Sequence, residues 1–96
     1  MAPERDKIMS AVCMKYKASM SDLRISKRGQ INEPRNVAMY LMRNLRGDTL
    51  SAICKEFGLK KDSSAGSIVD RVKKQIIKDK NLKKKVDEIK KMLIKS

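Results

Sequence analysis

The chain has 96 residues, enough for one domain with one modest core, and 41% of them are hydrophobic, so it can fold. Lysine and arginine number 24 against 11 acidic residues, a net charge of +13. This charge predicts a polyanionic partner, with nucleic acid favoured over an anionic membrane. The chain has no histidine, no Cys-x-x-Cys pair and no glycine-rich phosphate loop, which argues against an enzyme, a zinc site and a nucleotide cofactor.

The first predicted helix covers residues 4–17, and Pro3 favours its first turn. Its apolar face carries Ile8, Val12 and Tyr16, with Met9 and Cys13 beside it. Ser19 or Ser21 is expected to cap a second, short helix that ends near Leu23.

A loop is predicted for "ISKRGQINEP", because this stretch contains Gly29, Pro34 and mostly polar residues. Lys27 and Arg28 make the loop basic.

The third predicted helix covers residues 33–46, with Asn32 as its expected cap and Gly47 as the residue that stops it. Its apolar stripe consists of Val37, Ala38, Leu41, Met42 and Leu45. Tyr40 lies beside this stripe and is expected to pack rather than to catalyse.

The next two predicted helices are separated by a short turn and have the organisation of a helix-turn-helix. Asp48 or Thr49 is expected to cap the first helix, Gly58 to end it, and Ser63 or Ser64 to cap the second. The inward residues of the first helix are Leu50, Ile53, Cys54 and Phe57. A plain helical bundle with a solvated basic surface fits this pattern too.

The second helix of the pair, predicted to end near residue 78, has two distinct faces at about 100° per residue. The apolar face contains Ala65, Ile68, Val69, Val72 and Ile76. The opposite face has hydroxyl residues first and bases further along: Ser63, Ser64, Ser67, Arg71, Lys74 and Lys78. Short polar side chains let a helix approach base edges in the major groove, and long cations reach phosphates. Lys60 and Lys61 precede the helix. Together with these side chains they favour a DNA-recognition surface. The alternatives are that the face is simply solvated and that the serines serve only as caps.

The last predicted helix begins at Asn81, covers residues 81–94 and surrounds an apolar stripe with lysines. The stripe consists of Leu82, Val86, Ile89 and Leu93. Closing the core is its expected role, and a weak dimer through the stripe is an alternative. Attachment to a membrane ranks last, because the helix lacks Trp and Phe anchors.

Several of these stretches together resemble a known family. "PRNVAMYLMRNL" followed by "TLSAICKEFG" is similar to the C-terminal DNA-binding domain of the bacterial replication initiator DnaA, with its Arg-x-x-Ala-Met-x-Leu helix and a helix ending in Phe-Gly. "SDLRISKRG" resembles the short helix and basic loop of that domain, so the resemblance covers about residues 7–78. The same module is appended to proteins related to the REP-associated tyrosine transposases, to which "KRGQINEPRNVAMYL" and "LRGDTLSAICKEFGL" are more similar still.

The resemblance implies an all-α, Trp-repressor-like fold with a helix-turn-helix. With the six helices predicted along the chain, we expect a compact bundle that forms a single domain over residues 1–96. It implies double-stranded DNA as the ligand, with the recognition helix in the major groove and the basic loop in the adjacent minor groove. It places Arg28 in that loop, Arg35 near the DNA backbone, and Lys61 and the serines toward the groove. When the cations predicted from the basic loop and the α-helical face are added, the expected DNA contacts are Lys27, Arg28, Arg35, Lys60, Lys61, Ser63, Ser64, Ser67, Arg71 and Lys74.

The recognition helix is where the chain departs from the initiator, because "KKDSSAGS" stands where the initiator has Arg-Asp-His-Thr-Thr. The basic loop is also shorter. We therefore do not expect the initiator's origin-box specificity.

The expected function is that of a non-catalytic, sequence-specific DNA-binding module. The chain lacks the phosphate loop that the initiator's ATPase needs and the histidine pair that the transposase's nuclease site needs. The module would be transposase-related, free-standing or part of a larger parent chain, with no cofactor and no small-molecule substrate. No stretch has the length of a transmembrane span and the N-terminus is not a signal peptide, so we expect a bacterial cytoplasmic protein, nucleoid-associated when bound. The alternative is a protein–protein or anionic-surface adaptor that reuses the fold.

Overall fold

The structure, a computed structural model, describes residues 3–19, 21, 23 and 33–95. These residues contain five α-helices: α1 (Arg5–Tyr16), α2 (Glu33–Leu41), α3 (Leu50–Phe57), α4 (Asp62–Lys78) and α5 (Lys80–Lys95). A wider π-helical turn, Met42–Arg46, continues α2. No strand occurs in the described ranges, and the all-α prediction is confirmed.

The predicted short helix after Ser19 is only partly covered. Ser21 and Leu23 are helical, and Leu23 is fully buried. The rest of that helix lies outside the described residues, as do Lys27, Arg28 and the predicted cap Asn32.

Helix α2 lies at the centre of the fold, with α1 and α4 packed directly against it. Its buried residues, together with the first of the π-helical turn, are Arg35, Asn36, Val37, Ala38, Met39, Leu41 and Met42. The buried surface differs from the predicted stripe in two ways. It includes Met39, which was not predicted, and Leu45 is only partly buried. The core prediction for α1 is confirmed at Ile8, Met9 and Val12, none of which has exposed surface.

The predicted ends of the central helices are largely confirmed. Gly47 and Gly58 adopt left-handed backbone conformations, with φ of 68° and 66°, which glycine reaches without steric cost. The Thr49 hydroxyl caps α3 by accepting a hydrogen bond from the Ala52 N–H at 3.1 Å. Lys17 is also left-handed and ends α1.

Three predicted helix starts are corrected. Pro3 precedes α1 instead of entering its first turn, and its carbonyl accepts a hydrogen bond from Arg46 at 2.8 Å. Helix α4 begins at Asp62, so the serines at 63 and 64 lie inside its first turn and do not cap it. Helix α5 begins at Lys80, because the Asp79 carboxylate accepts the first free N–H groups.

Helix α5 closes the core by packing on α1 and α4. Leu82, Val86 and Ile89 are 3%, 2% and 0% exposed, and Leu93 is partly buried. The expectation that this helix completes the core is confirmed. The alternative of a dimer through the same stripe is corrected, because these side chains are buried within the chain.

The core position of Phe57 leads to a prediction about stability. Phe57 is 4% exposed at the end of α3. Phe57→Ala should lower the free energy of unfolding by about 3–5 kcal/mol, because it removes buried apolar surface and leaves a cavity. Urea denaturation followed by far-UV circular dichroism measures the change. Ile77→Ala is the control, because Ile77 is 80% exposed, and it should change stability by less than about 0.5 kcal/mol. Equal losses in the two variants would contradict the packing described here.

Candidate nucleic-acid interface

The turn between α3 and α4 has the hydrogen bonds of a Schellman motif. The Leu59 N–H donates to the Cys54 carbonyl at 2.9 Å, and the Gly58 N–H donates to the Lys55 carbonyl at 3.4 Å. The Cys54 thiol donates to the Leu59 carbonyl at 2.9 Å. Burial, and then the negative charge of Asp62, raise the pKa of this thiol. Cys54 is therefore a neutral core thiol, as predicted, and helps to fix the turn.

The predicted recognition face of α4 is exposed along its whole length. Its exposed members are Ser63, Ser64, Ser67, Arg71 and Lys74, with Lys60 and Lys61 in the preceding turn. The opposite side of the helix carries Ala65 and Val72 into the core. The structure thus brings seven of the predicted DNA contacts onto one surface.

Two acidic residues lie on the same surface as these cations. Asp62 opens α4, and Asp70 forms an ion pair with Lys74 at 3.1 Å. The side chains of Asp70 and Lys74 are 59% and 74% exposed, so this pair stabilises the free protein little. Lys74 can therefore exchange the carboxylate for a phosphate at small cost.

Close packing at Gly66 holds α4 against α3. A Cβ atom at this position would lie 3.1 Å from Cδ1 of Leu50, closer than most real Cβ contacts. The absence of a side chain at residue 66 lets the two helices approach each other. The packing of α3 thereby orients the exposed face of α4.

Arg35 does not join the exposed surface. It lies in the first turn of α2 and is only 8% exposed. Burial lowers the pKa of its guanidinium from the ordinary value. Among the predicted DNA contacts that the structure describes, Arg35 is thus the one that is buried. Lys27 and Arg28 fall outside the described residues.

The family of the chain follows from comparison with known proteins. The family model described as the bacterial DnaA protein helix-turn-helix matches residues 5–72. The chain belongs to the DnaA helix-turn-helix family. This family is one of DNA-binding domains, so the chain carries a DNA-binding fold, and the predicted resemblance to DnaA is confirmed.

Individual relatives match nearly the whole chain. It is 36% identical over 88 residues to the chromosomal replication initiator protein DnaA of Lactobacillus delbrueckii subsp. bulgaricus, covering 91% of this chain and 19% of that protein. It is 33% identical over 93 residues to the protein of the same name from Campylobacter jejuni subsp. doylei, covering 95% and 21%. The chain thus spans about a fifth of the length of the curated relatives it matches.

Two further cations of this DnaA-type domain, Arg43 of the π-helical turn and Lys73 of α4, were not singled out from the sequence. Arg43 and Lys73 line a groove of about 400 Å³ between the π-helical turn and α4, next to Tyr40 and Gly66. In the sequence each looks like an ordinary surface residue of a helix. Their position beside the recognition face appears only when the two elements are packed together.

Asp48 connects the start of the helix-turn-helix to α1. Its carboxylate accepts hydrogen bonds from Nε of Arg5 at 3.1 Å and from Nε of Arg46 at 3.0 Å. Its backbone carbonyl accepts one from Arg43 at 2.9 Å. Burial alone would raise the pKa of Asp48, but the hydrogen bonds and charges of Arg5 and Arg46 outweigh it and hold the pKa below its ordinary value. The Asp48 side chain is 10% exposed, whereas those of Arg5 and Arg46 are 37% and 26% exposed, so solvent screens these interactions only in part.

No helix in the described ranges is long and apolar enough to cross a membrane. Over the same ranges, no three His, Cys, Asp or Glu side chains come together as a metal site would require.

The position of Asp48 leads to a prediction about pH. Asp48→Asn should lower the free energy of unfolding by about 1–3 kcal/mol at neutral pH, because it weakens charged, part-buried hydrogen bonds to a carboxylate with little exposed surface. The stabilisation from a carboxylate with a lowered pKa is present above its unfolded pKa and is lost as the pH falls through the folded one. The difference between wild type and variant should therefore shrink from the ordinary value of 3.8 downwards. Urea denaturation at a series of pH values measures it.

Asp70→Asn is the matched control for this prediction, because the ion pair of Asp70 with Lys74 is exposed. It should lower the free energy of unfolding by less than about 0.5 kcal/mol at neutral pH. A difference at Asp48 that stays constant down to strongly acidic pH would contradict the role of its charge.

Proposed function

We propose that the chain is a non-catalytic, sequence-specific module that binds double-stranded DNA. The observation that carries the proposal is the exposed face of α4, where short hydroxyl residues are followed by cations, in a chain of the DnaA helix-turn-helix family. In this proposal the N-terminal end of α4 enters the major groove. The segment with Lys27 and Arg28 reaches the adjacent minor groove.

The chemistry of α4 suits this division of roles. No side chain caps the helix, so backbone N–H groups of its first turn are available to a phosphate, next to Lys60 and Lys61. Ser63, Ser64 and Ser67 are short enough for the helix to approach base edges closely. Arg71 and Lys74 lie further along the helix, from where their longer side chains reach phosphates on the groove walls.

Specificity should be divided unequally between the two grooves. A serine hydroxyl can donate or accept a hydrogen bond, so it distinguishes bases weakly. Arg28 is always charged, and a narrow A·T-rich minor groove concentrates negative potential that attracts arginine. We therefore assign the preference for an A·T-rich flank to Arg28.

The biological setting that we propose is transposase-related, on the strength of the "KRGQINEPRNVAMYL" stretch. The recognition helix carries "KKDSSAGS", with neither the arginine nor the histidine of the initiator cluster. The module would therefore read a different target from the origin box, either alone or within a larger parent chain. It would act in the bacterial cytoplasm, without a cofactor.

A selection of binding sites from a random duplex pool tests the proposed function. A single enriched motif that survives competitor DNA at physiological salt supports sequence-specific binding. Enrichment of no motif, with capture of acidic proteins instead, would favour an adaptor.

The cations around α4 lead to a prediction about salt. Log affinity for duplex DNA should fall linearly with log salt concentration, by about 0.9 for each phosphate neutralised. Lys61→Glu or Lys74→Glu should weaken binding to selected and scrambled duplexes by similar factors, because phosphate contacts carry no sequence information. Fluorescence anisotropy over a range of salt concentrations measures both effects.

Lys7→Glu is the control for these charge reversals, because Lys7 is an exposed residue of α1, which packs on α2 and α5. It should weaken binding much less than either variant. An affinity that does not depend on salt, or equal losses in all three variants, would contradict phosphate contact by α4.

The division of specificity leads to a separate prediction. Arg28→Ala should abolish the preference for an A·T-rich flank and keep the major-groove preference. Ser64→Ala and Ser67→Ala should instead relax one or two base pairs of the major-groove half-site, by at most about 1–3 kcal/mol each. Competition binding with single-base variants of the selected site distinguishes the two patterns. Loss of the flank preference in a serine variant, with Arg28→Ala unaffected, would reverse the assignment.

A further inference from the structure

Helix α5 carries more lysines than those that contact other helices. Its sequence contains seven lysines and two acidic residues. Two of the lysines have structural contacts. Nζ of Lys85 lies 5.2 Å from the ring centroid of Tyr16 and 3.7 Å from the Glu33 carboxylate, and Nζ of Lys90 lies 5.9 Å from the ring centroid of Tyr40. These contacts join α5 to α1 and α2.

The acidic residues near α5 are mostly occupied elsewhere. Glu88 forms an ion pair with Lys15 of α1, and Asp79 caps the first N–H groups of α5. Asp87 remains as the one exposed acid of the helix. We define the α5 lysine face as the exposed residues Lys80, Lys83, Lys84 and Lys91, none of which forms an ion pair within the described part of the chain.

The α5 lysine face contains an unfavourable charge spacing that is only partly offset by Asp87, which lies four residues from both Lys83 and Lys91. Lys80 and Lys84 are four residues apart on one side of the helix, a like-charge spacing that destabilises a helix by about 0.2–0.5 kcal/mol. Four lysines face outward around one acid. The recognition face of α4 and its preceding turn have five cations, counting Lys78, around two acids. The local excess of positive charge is therefore as large on α5 as on the proposed DNA-reading surface.

The two basic surfaces are continuous along the chain. Lys78 ends α4 and Lys80 begins α5, with only Asp79 between them. At 1.5 Å per residue, the face from Lys80 to Lys91 extends over about 17 Å, so it offers several cations to a partner with repeated negative charge. An anionic membrane is a poor partner, because the apolar stripe of α5 is buried and cannot insert. The phosphates of a nucleic acid need no such insertion.

We propose that the α5 lysine face is a second DNA contact, one that binds backbone phosphates without regard to sequence. The inference rests on the proposed function, in which the exposed face of α4 contacts the bases. It adds a second DNA-binding surface outside that face. The phosphates come from the flank of the same duplex or from a second duplex. The contact would raise affinity and salt dependence and leave base preference unchanged.

The test compares wild type with Lys84→Gln/Lys91→Gln, which removes two charges from the face and keeps helix-forming side chains. Lys84→Arg/Lys91→Arg restores the charge, and Lys7→Gln/Lys17→Gln removes the same charge from exposed positions of α1 and its C-terminal end. Each protein is titrated by fluorescence anisotropy against a selected and a scrambled duplex, each of about one and a half or about four helical turns. Circular dichroism confirms that all variants fold.

The expected result is a smaller salt slope for the glutamine pair on α5, by up to about 1.8 for two lost phosphate contacts. The ratio of affinities for selected and scrambled duplexes should not change. The arginine pair should keep the wild-type slope, and the α1 pair should lose much less. A loss on both duplex lengths assigns the contact to DNA near the reading site, and a loss only on the long duplex assigns it to the flank. If a loss on both lengths is accompanied by lost capture of a labelled second duplex on a bead-bound duplex, the contact is instead assigned to bridging of two duplexes.

The inference is overturned if the glutamine pair on α5 matches the α1 pair in salt slope on both duplexes and in the bridging assay. It is also overturned if the arginine pair loses as much as the glutamine pair, because charge would then not be the cause. The proposed function fails in a different way. Wild type would then bind selected and scrambled duplexes equally, while the effect of the α5 substitutions on the salt slope remained.

Discussion

The burial of α2 on almost every side is the constraint on which the other elements depend. A helix can be covered in this way only if other helices surround it, and α1 and α4 pack directly against it while α5 closes the gap between them. The buried residues from Val37 to Met42 supply the apolar surface that holds this arrangement together. Because one side of α4 is anchored there and at Leu50, the other side is held outward in a fixed orientation.

Charge is used in three distinct ways in this small domain. Arg5 and Arg46 converge on the largely buried carboxylate of Asp48, where positive charge stabilises the link between α1 and the helix-turn-helix. Lysines such as Lys85 lie over aromatic rings and join helices. The remaining cations are exposed and repel one another, which lowers the stability of the free fold and raises its attraction to a polyanion. Binding DNA would relieve that repulsion.

Sequence reasoning predicted the helices well where a periodic apolar pattern or a glycine defined them. The stripes of α2, α3 and α5 and the ends at Gly47 and Gly58 are of this kind, since the spacing of apolar residues and a positive φ leave few alternatives. It was wrong at the start of α5, because Asp79 and Asn81 are both good capping residues and only the three-dimensional structure shows which one accepts the hydrogen bonds.

The candidate site was predictable to a smaller extent. The face of α4 follows from helical periodicity, so its serines and cations could be read directly. The burial of Arg35 could not, because an arginine in the first turn of a helix gives no sign of how other helices will cover it. Arg43 and Lys73 were missed for a related reason, since their proximity depends on how the π-helical turn packs beside α4.

The separation of the two sides of α4 has a consequence for how such domains can diverge. Ser63, Ser64 and Ser67 are exposed and take no part in the core, whereas Ala65, Gly66 and Val72 secure the helix from the other side. Under the proposed function, substitutions at the three serine positions would therefore alter target preference without repacking the interior. A new specificity would then cost little stability, and the same scaffold could be retained while its target changed.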